Sequence, residues 1–233
     1  MAVKLLDILS EVIETAIGQE IEEQILYPDT VTGQPCVFLA PLYFAEQSIA
    51  AQIRRLQTGT SMMPTFDADK AIPWVESKLS MELAQSQKDA IRLALSSKLL
   101  VITGGPGVGK TTLVKSILTI MTAKGVKPLL CAPTGRAAKR LSESTGLEAK
   151  TIHRLLEWNP ETQGFNRNGE NPLLASAVVV DEASMLDIRL FFALIEALPD
   201  YGKLIIIGDI DQLPSVGPGY VLHDLIASTK ISF

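Results

Sequence analysis

The sequence predicts an α/β protein with a central, mainly parallel sheet, preceded by a small α+β module. Short apolar runs alternate with helical patterns from residue 99 onward, as strands alternate with crossover helices in a parallel sheet. A glycine-rich segment joins the first of these runs to a helix. Residues 1–73 lack this alternation, so we expect a helical and hairpin accessory module with its linker over 1–73 and the sheet domain over 74–233.

The composition of the 233 residues, with 47% hydrophobic and 20% charged residues, is that of an ordinary globular protein. No apolar run approaches the roughly 20 residues of a membrane span, and no signal peptide pattern is visible, so we expect a cytoplasmic protein. The two cysteines, Cys36 and Cys131, each lie among apolar residues, which disfavours a disulfide framework or a metal cluster.

Charge is unevenly distributed along the chain, whose net charge is −5. Residues 110–158 carry nine Lys and Arg against three Asp and Glu, whereas the regions on either side are acidic. Such a segment is typical of a basic face that binds nucleic acid, but it is equally typical of a solvated helix face. Charge alone leaves both interpretations open.

The module before the sheet domain is predicted from apolar spacing and turn residues. Its helices and hairpin fit a winged-helix-like unit, and a plain accessory domain fits them equally well. The predicted parts are a helix over residues 5–17 that ends at Gly18, a hairpin formed by 25–27 and 35–40, a helix over 43–56, and a linker over 57–73.

The segment 99–112 contains Gly104, four further residues and then Gly109, Lys110 and Thr111, which is the spacing of a phosphate-binding loop. Glycines let backbone N–H groups turn towards phosphate oxygens, and the positive end of the following helix points to the same place. We therefore expect a nucleoside triphosphate to bind here, with Lys110 on its β and γ phosphates and Thr111 on Mg²⁺. The expected binding residues are Gly105, Gly107, Val108, Gly109, Lys110, Thr111 and Thr112.

A glutamine precedes this loop, in a helix predicted over residues 82–95. The amide of Gln87 can read adenine, because one amide can both donate to N7 and accept from N6. The alternative is an exposed polar helix position. The place of Gln87 relative to the loop leaves these two interpretations even.

Two later apolar strands are predicted to end in polar residues. The strand over 177–180 ends at Asp181 and Glu182, where the first carboxylate can hold the water shell of Mg²⁺ and the second can deprotonate the attacking water. The strand over 204–207 is followed by a loop that carries Gln212. Ligands of open α/β sheets bind at this carboxyl edge, so we expect Gln212 to sense the γ phosphate.

The basic segment contains a further strand-to-helix turn, after a strand predicted over 126–132. Pro133, Thr134, Gly135 and Arg136 form this turn, where a hydroxyl, free N–H groups and a cation can hold a phosphate.

A short helix near the same surface is predicted to begin at Thr151 and to include His153, although a lone histidine is more often structural than a ligand contact. Residues 159–172 are polar and contain two glycines, so we expect a loop or hairpin that projects from the fold.

Five segments follow one another along the chain: GGPGVGKT, APTGRAAKRL, TIHRLL, VDEASM and GDIDQLPSVGPG. Together they resemble the successive motifs of the exonuclease V alpha-subunit (RecD-like) DNA helicases of superfamily 1. The order and spacing of the five are more specific than any one of them. The resemblance covers residues 82–228, and residues 35–56 also resemble the part that precedes the motor in longer, free-standing members.

The resemblance implies a RecA-like P-loop NTPase domain, the first of two, in an ATP-dependent 5′-to-3′ DNA helicase of recombination and repair. It implies ATP and Mg²⁺ as cofactors, and single-stranded DNA, a second RecA-like domain and other subunits of a recombination complex as partners. It also implies a separating pin over residues 158–171. The site residues it implies are Lys110, Glu182 and Gln212 for catalysis, Gln87 for adenine, Thr111 and Asp181 for the metal, and Pro133, Thr134, Gly135, Arg136, Thr151 and His153 for DNA.

The sequence departs from the family pattern after residue 228, because no second RecA-like domain with its arginines follows before Phe233. We therefore expect a fragment that binds ATP and hydrolyses it poorly, since such an arginine contributes about 10³ to 10⁵ in turnover. Two other functions stay open. An AAA+ loader-like ATPase would lack affinity for single-stranded DNA at residues 134–140, and a non-catalytic docking subunit of a nuclease-helicase complex would tolerate Lys110→Ala.

Overall fold

The computed structural model describes residues 7–105 and 107–228. The chain divides into two compact units, Met1–Ser48 and Ile49–Phe233. This division falls earlier than residue 73, where the sequence analysis ended the module and its linker, and it lies inside a helix. None of the described helices is long and apolar enough to cross a membrane.

The first unit consists of a helix, a hairpin and the start of a second helix. Its elements are α1 (Ser10–Glu22), β1 (Leu26–Val31), β2 (Gln34–Leu39) and the first part of α2 (Ala40–Thr58). The predicted hairpin is confirmed, and its strands extend to a two-residue turn at Thr32 and Gly33, both with positive φ. Such a turn matches the twist of the two strands. The predicted helix over 43–56 is also confirmed, within α2.

The predicted end of the first helix at Gly18 is wrong. Helix α1 continues to Glu22, and Gln24 just beyond it has a left-handed φ of 61°. A glycine in a helix interior costs only about 1 kcal/mol, and the Glu and Gln residues that follow Gly18 favour a helix. Residues 5 and 6 of the predicted helix lie outside the described residues.

Aromatic side chains hold the hairpin of the first unit against α2. The rings of Tyr27 and Tyr43 stack with their centroids 4.2 Å apart, and the ring of Phe44 meets both edge-on. The Tyr43 hydroxyl donates to Asp29 Oδ2 at 2.8 Å.

The second unit is built on a parallel sheet with helices between its strands. Its elements after α2 are α3 (Ala68–Leu79), α4 (Gln85–Ser96), β3 (Leu99–Thr103), α5 (Lys110–Ala123), β4 (Leu129–Ala132), α6 (Gly135–Thr145), β5 (Ala149–Thr151), α7 (Ile152–Leu155), β6 (Trp158–Asn159), β7 (Gly164–Phe165), β8 (Ala177–Val180), α8 (Ile188–Glu196), β9 (Lys203–Gly208) and α9 (Val221–Ala227). The strand order of the sheet is β3-β9-β8-β4-β5, and every neighbouring pair is parallel. The predicted α/β fold with a central parallel sheet is confirmed.

The stretch predicted as a linker, residues 57–73, is helical from Ala68 onward. Helix α3 begins after Asp67, whose side chain accepts a backbone N–H of the first turn at 3.2 Å, and it contains Pro73. A proline removes one backbone donor from a helix interior. The buried side chains of Ile72 and Val75 pack into the core and compensate for this loss.

The core lies between the sheet and helices α3, α4 and α5. Strands β8 and β9 are buried along their whole length, and β3 is buried up to Ile102. Such strands read as continuous apolar runs because helices cover both faces of a parallel sheet. The segments that follow each strand are therefore left at the sheet edge, where they form the site.

Candidate nucleotide and nucleic-acid site

The strands of the parallel sheet all end at one edge, and the segments after four of them carry the predicted site residues. In the sheet register Thr103 lies opposite Gly208, and Val180 lies opposite Ile206 on one side and Cys131 on the other. The segments that follow β3, β9, β8 and β4 therefore emerge side by side.

The glycine-rich segment after β3 turns tightly into α5. Gly107 and Gly109 have φ of 79° and 84°, in the left-handed region that favours glycine. Gly109 is the N-cap of α5, and the first N–H groups of a helix have no partner within the helix. This turn brings together the predicted phosphate-binding residues Gly105, Gly107, Val108, Gly109, Lys110, Thr111 and Thr112.

The Lys110 ammonium group folds back over this loop. Its Nζ donates to the carbonyl oxygen of Gly104 and, at 2.8 Å, to that of Gly105, and it lies 3.7 Å from Asp209 Oδ2. Asp209 is only 1% exposed. The lysine charge is thus held at the mouth of the loop by carbonyl oxygens and one buried carboxylate.

Asp181 and Glu182 follow β8 directly. The Asp181 N–H donates to Cys131 O at 3.0 Å, and Asp181 Oδ1 accepts the Glu182 N–H at 2.9 Å. Glu182 has a φ of 55°, which is uncommon for a residue that carries a side chain. Burial raises the pKa of the Asp181 carboxyl group. Burial and the charge of Asp181 raise the pKa of Glu182, while Arg140 opposes this rise.

One cavity of about 100 Å³ joins these groups. Lys110, Thr111, Asp181, Glu182, Asp209 and Gln212 all line it. Asp209 holds Gln212 by two hydrogen bonds. The side-chain Nε2 of Gln212 donates to Asp209 Oδ2 at 3.4 Å, and the backbone N–H of Gln212 donates to Asp209 O at 3.3 Å. A cation, a hydroxyl, an amide and three carboxylates therefore converge at the carboxyl edge.

A second cavity, of about 520 Å³, lies on the other side of the glycine-rich loop. Its lining includes Gln87, Ala90, Leu93 and Val108. Gln87 Oε1 accepts the Ala84 N–H at 2.9 Å, and its Nε2 donates to Gly109 O at 3.3 Å. Each half of the amide has one further hydrogen-bonding position, so the side chain links α4 to the loop and still has capacity for a ligand.

The turn after β4 contains the first group of predicted DNA-contacting residues. Thr134 Oγ1 accepts the Ala137 N–H at 3.2 Å and so caps α6, while Gly135 and Arg136 are exposed in its first turn. Pro133 is half-buried just before the cap. The hydroxyl of Thr134 therefore has a structural role as acceptor, which the sequence analysis did not predict, and it retains its own proton for donation.

The second group lies beside it, because Thr151 is the register partner of Ala132 at the end of β4. Thr151 Oγ1 caps α7 by accepting the Arg154 N–H at 3.2 Å. The exposed His153 ring lies 6.1 Å from the Trp158 ring and 5.6 Å from the Phe165 ring, between centroids. His153 thus packs against the short β6-β7 hairpin. The segment 159–172, predicted as a loop or hairpin, therefore forms a hairpin up to Phe165 and continues without a strand beyond it.

Comparison with known proteins agrees with these features. Residues 87–218 match the family described as AAA domain. The chain belongs to this family. An ATP-dependent RecD2 DNA helicase from Deinococcus radiodurans is 37% identical to it over 82% of this chain and 26% of the relative.

Two other relatives of this AAA domain are, by name, a subunit of the RecBCD enzyme and a DNA helicase. A RecBCD enzyme subunit RecD from Mycolicibacterium smegmatis is 40% identical over 61% of this chain and 30% of the relative. The ATP-dependent DNA helicase dda of Enterobacteria phage T4 is 37% identical over 59% of this chain and 34% of the relative. The chain therefore spans about a quarter to a third of the length of these relatives. The predicted resemblance to RecD-like helicases is confirmed.

Two polar residues of the AAA domain were missed by the sequence analysis. Asp209 follows β9 as Asp181 follows β8, so its position after a buried strand was the signal that could have found it. Ser184 carries no such signal. In the described part of the chain its Oγ is the one buried side-chain polar atom without a hydrogen-bond partner, and it lines a small cavity together with Gln212.

Proposed function

We propose that residues 74–233 form the first motor domain of a RecD-like, ATP-dependent 5′-to-3′ DNA helicase that acts in recombination and repair. The observation that carries this proposal is the convergence of Lys110, Thr111, Asp181, Glu182 and Gln212 on one cavity at the carboxyl edge of the sheet. The similarity to relatives named RecD2 and RecD supports it.

ATP and Mg²⁺ fit this cavity by the chemistry of its groups. The hydroxyl of Thr111 and the carboxylate of Asp181 are hard oxygen donors of the kind that Mg²⁺ prefers. Among the described residues, the Lys110 ammonium group bonds to two neutral carbonyl oxygens of the loop and lies beside Asp209, so it can exchange these partners for the β and γ phosphates. The bound metal would neutralise charge on the phosphates.

Two side chains at the cavity are assigned to hydrolysis. Glu182 takes the proton of the attacking water, and its raised pKa suits a general base. Gln212, on the next strand end, senses the γ phosphate. Gln87 reads adenine from the larger cavity, while its existing bond to Gly109 O ties base recognition to the phosphate-binding loop.

Single-stranded DNA is the proposed partner of the edge formed after β4 and β5. The exposed Gly135 and Arg136, with Pro133 and Thr134, would contact the backbone through N–H groups and charge. Thr151 and His153 would extend this contact towards the β6-β7 hairpin, for which residues 158–171 are proposed as the separating pin.

Further partners follow from the relatives. A second RecA-like domain would complete the ATP site. Because some relatives are named as subunits of the RecBCD enzyme, we also propose other subunits of a recombination complex as partners. A cytoplasmic location is part of the same proposal. If a second domain supplies arginines to the γ phosphate, residues 74–233 on their own should turn over ATP about 10³ to 10⁵ times more slowly than the complete motor. Fast steady-state hydrolysis by the monomeric chain would contradict this expectation.

Fluorescence anisotropy of a labelled single-stranded oligonucleotide tests the proposal. Binding should exceed that of duplex and change when the non-hydrolysable analogue AMP-PNP is added. Arg136→Ala should weaken binding and reduce its salt dependence by about one counterion. Arg54→Ala is the matched control, since Arg54 is also exposed but lies on α2, outside the proposed DNA edge.

The alternative functions make different predictions for this experiment. A loader-like ATPase would bind AMP-PNP without selective affinity for single strands. Equal binding of single strand and duplex, unchanged by Arg136→Ala, would overturn the helicase proposal.

A further inference from the structure

The loop after β9 carries Asp209 and Gln212, and its far end rests on the start of α8. The Ile188 N–H donates to Pro218 O at 2.9 Å. Ser215 Oγ donates to Gly217 O at 2.9 Å and lies 3.3 Å from Gly219 O, which closes the end of the loop into a compact turn. We call residues 215–219 the seat turn.

At Gly217 and Gly219, the seat turn lies so close to the start of α8 that a side chain would not fit. A Cβ added to Gly217 would overlap Asp187 Oδ2 and lie 2.7 Å from Asp187 Cβ. A Cβ added to Gly219, whose φ is 101°, would lie 3.0 Å from Ile188 Cβ. Glycine is therefore required at both positions for the turn to approach the helix this closely.

Asp187 is itself fixed in place. Its Oδ1 accepts the Leu190 N–H at 2.8 Å, which makes it the N-cap of α8. It is joined to Glu182 by a short 3₁₀ turn, in which the Met185 N–H donates to Glu182 O at 3.1 Å. The segments that follow β8 and β9 therefore meet at Asp187.

Apart from bonds to Asp209, from the Asp211 N–H at 3.1 Å and from Gln212 itself, little holds the part of the loop that carries Gln212. Leu213 is 86% exposed and Val216 is fully exposed, so the middle of the loop gains little from packing. The side-chain bond from Gln212 Nε2 to Asp209 is long, at 3.4 Å. The position of Gln212 thus depends on how the two ends of the loop are anchored, at β9 and at the seat turn.

We propose that Asp187 is a positioning residue of the nucleotide site, which holds the seat turn and thereby sets the place of Gln212 relative to Glu182. This inference rests on the proposed role of Gln212 at the γ phosphate. Through Gln212, Asp187 thereby sets how strongly the site prefers nucleotides that carry the γ phosphate over nucleotides that lack it.

Nucleotide affinities measured with purified chain test this role. Gly217→Ala and Asp187→Ala should each reduce the ratio of AMP-PNP affinity to ADP affinity at least fivefold, with ADP affinity unchanged within twofold. Asp187→Asn should keep the wild-type ratio, because asparagine caps helices as well as aspartate does. Asp67→Ala is the matched control, since it removes the same kind of N-cap from α3 and should leave the ratio unchanged.

Hydrogen exchange of the backbone amides of residues 209–216 in nucleotide-free protein provides a second measurement. Exchange should be faster in Gly217→Ala and Asp187→Ala than in wild type, and unchanged in Asp67→Ala. Unchanged exchange in Gly217→Ala would overturn the anchoring, and faster exchange with an unchanged affinity ratio would overturn the positioning role. If wild type and Gln212→Ala both fail to discriminate AMP-PNP from ADP, the proposed role of Gln212 fails and this inference fails with it. Retained discrimination in wild type with no effect of Gly217→Ala refutes the inference alone.

Discussion

Gly109 allows a direct test of how the adenine and phosphate parts of the site are joined. Its φ of 84° is left-handed, and a Cβ added there would lie 2.6 Å from Gln87 Nε2. Gly107 is the matched control, since its φ is 79° and an added Cβ meets nothing within 4 Å. Gly107→Ala therefore isolates backbone strain, whereas Gly109→Ala also displaces the Gln87 side chain.

The two substitutions should differ in their effect on the free energy of unfolding. An alanine in the left-handed region costs roughly 1–2 kcal/mol, and both variants carry this cost. Gly109→Ala also breaks the hydrogen bond from Gln87 Nε2 to Gly109 O, which is worth about 1 kcal/mol. We expect losses of about 1–2 kcal/mol for Gly107→Ala and about 2–3 kcal/mol for Gly109→Ala.

Urea unfolding of Gly107→Ala and Gly109→Ala, each in the wild-type and the Gln87→Ala background and compared with that background, measures this difference as a double-mutant cycle. In the Gln87→Ala background both glycine variants should cost the same. Because we assign adenine reading to Gln87, Gly109→Ala should also reduce the preference for ATP over GTP. Equal costs in the wild-type background, or a difference that persists without Gln87, would refute the reasoning.

Three further predictions concern charge and helix ends. Burial lowers the pKa of Lys203 from 10.5 to about 8, so between these pH values the folded state has released the proton that the unfolded state still holds. Urea unfolding should therefore show the stability of wild type relative to Lys203→Met rising by about 3 kcal/mol between pH 8 and 10.5. A difference in stability that does not change with pH would contradict this. Burial raises the pKa of Asp181, so the charge of its carboxylate opposes folding at neutral pH. Asp181→Asn should therefore raise the Tm of nucleotide-free protein in calorimetry and weaken Mg²⁺-dependent nucleotide binding, whereas a lower Tm would contradict this reasoning. The Arg55 guanidinium donates to the carbonyl oxygens of Ile195 and Leu198 at the end of α8, at 3.2 and 2.8 Å. Arg55→Met should lower the free energy of unfolding by about 1–3 kcal/mol in urea denaturation, and an unchanged free energy would argue that water replaces these bonds.

The parallel sheet and its strand ends could be predicted from the sequence because two independent signals coincide there. Wholly apolar strands such as 177–180 have few alternatives in a chain with crossover helices. The polar residues that follow them then fall at one edge by topology alone. This is why Asp181, Glu182 and the phosphate-binding loop could be assigned to the same site before any distance was known.

Local propensity was a weaker guide where tertiary packing decides the structure. Pro73 and Gly18 both mark breaks in sequence, yet each lies inside a helix. Pro73 is tolerated because its neighbours pack into the core, which a propensity argument does not include. The capping roles of Thr134 and Thr151 were missed for a related reason, since a hydroxyl at a strand-to-helix turn serves a cap and a ligand equally well.

Individual side-chain contacts between distant residues could not be predicted from the sequence. The approach of Gly217 to Asp187 joins residues 30 positions apart, and the bond of Gln87 to Gly109 O joins residues 22 positions apart. Neither contact leaves a periodic or spacing signal. Only the fold brings these residues together.

The central claim is that one sheet edge binds nucleotide and single-stranded DNA as linked ligands. The most direct test is the affinity of a fluorescent ATP analogue measured with and without saturating oligo-dT. We expect DNA to change this affinity by the same factor by which the analogue changes the affinity for DNA, as linkage requires. Nucleotide affinity that is unaffected by DNA, in a protein that binds both, would contradict it.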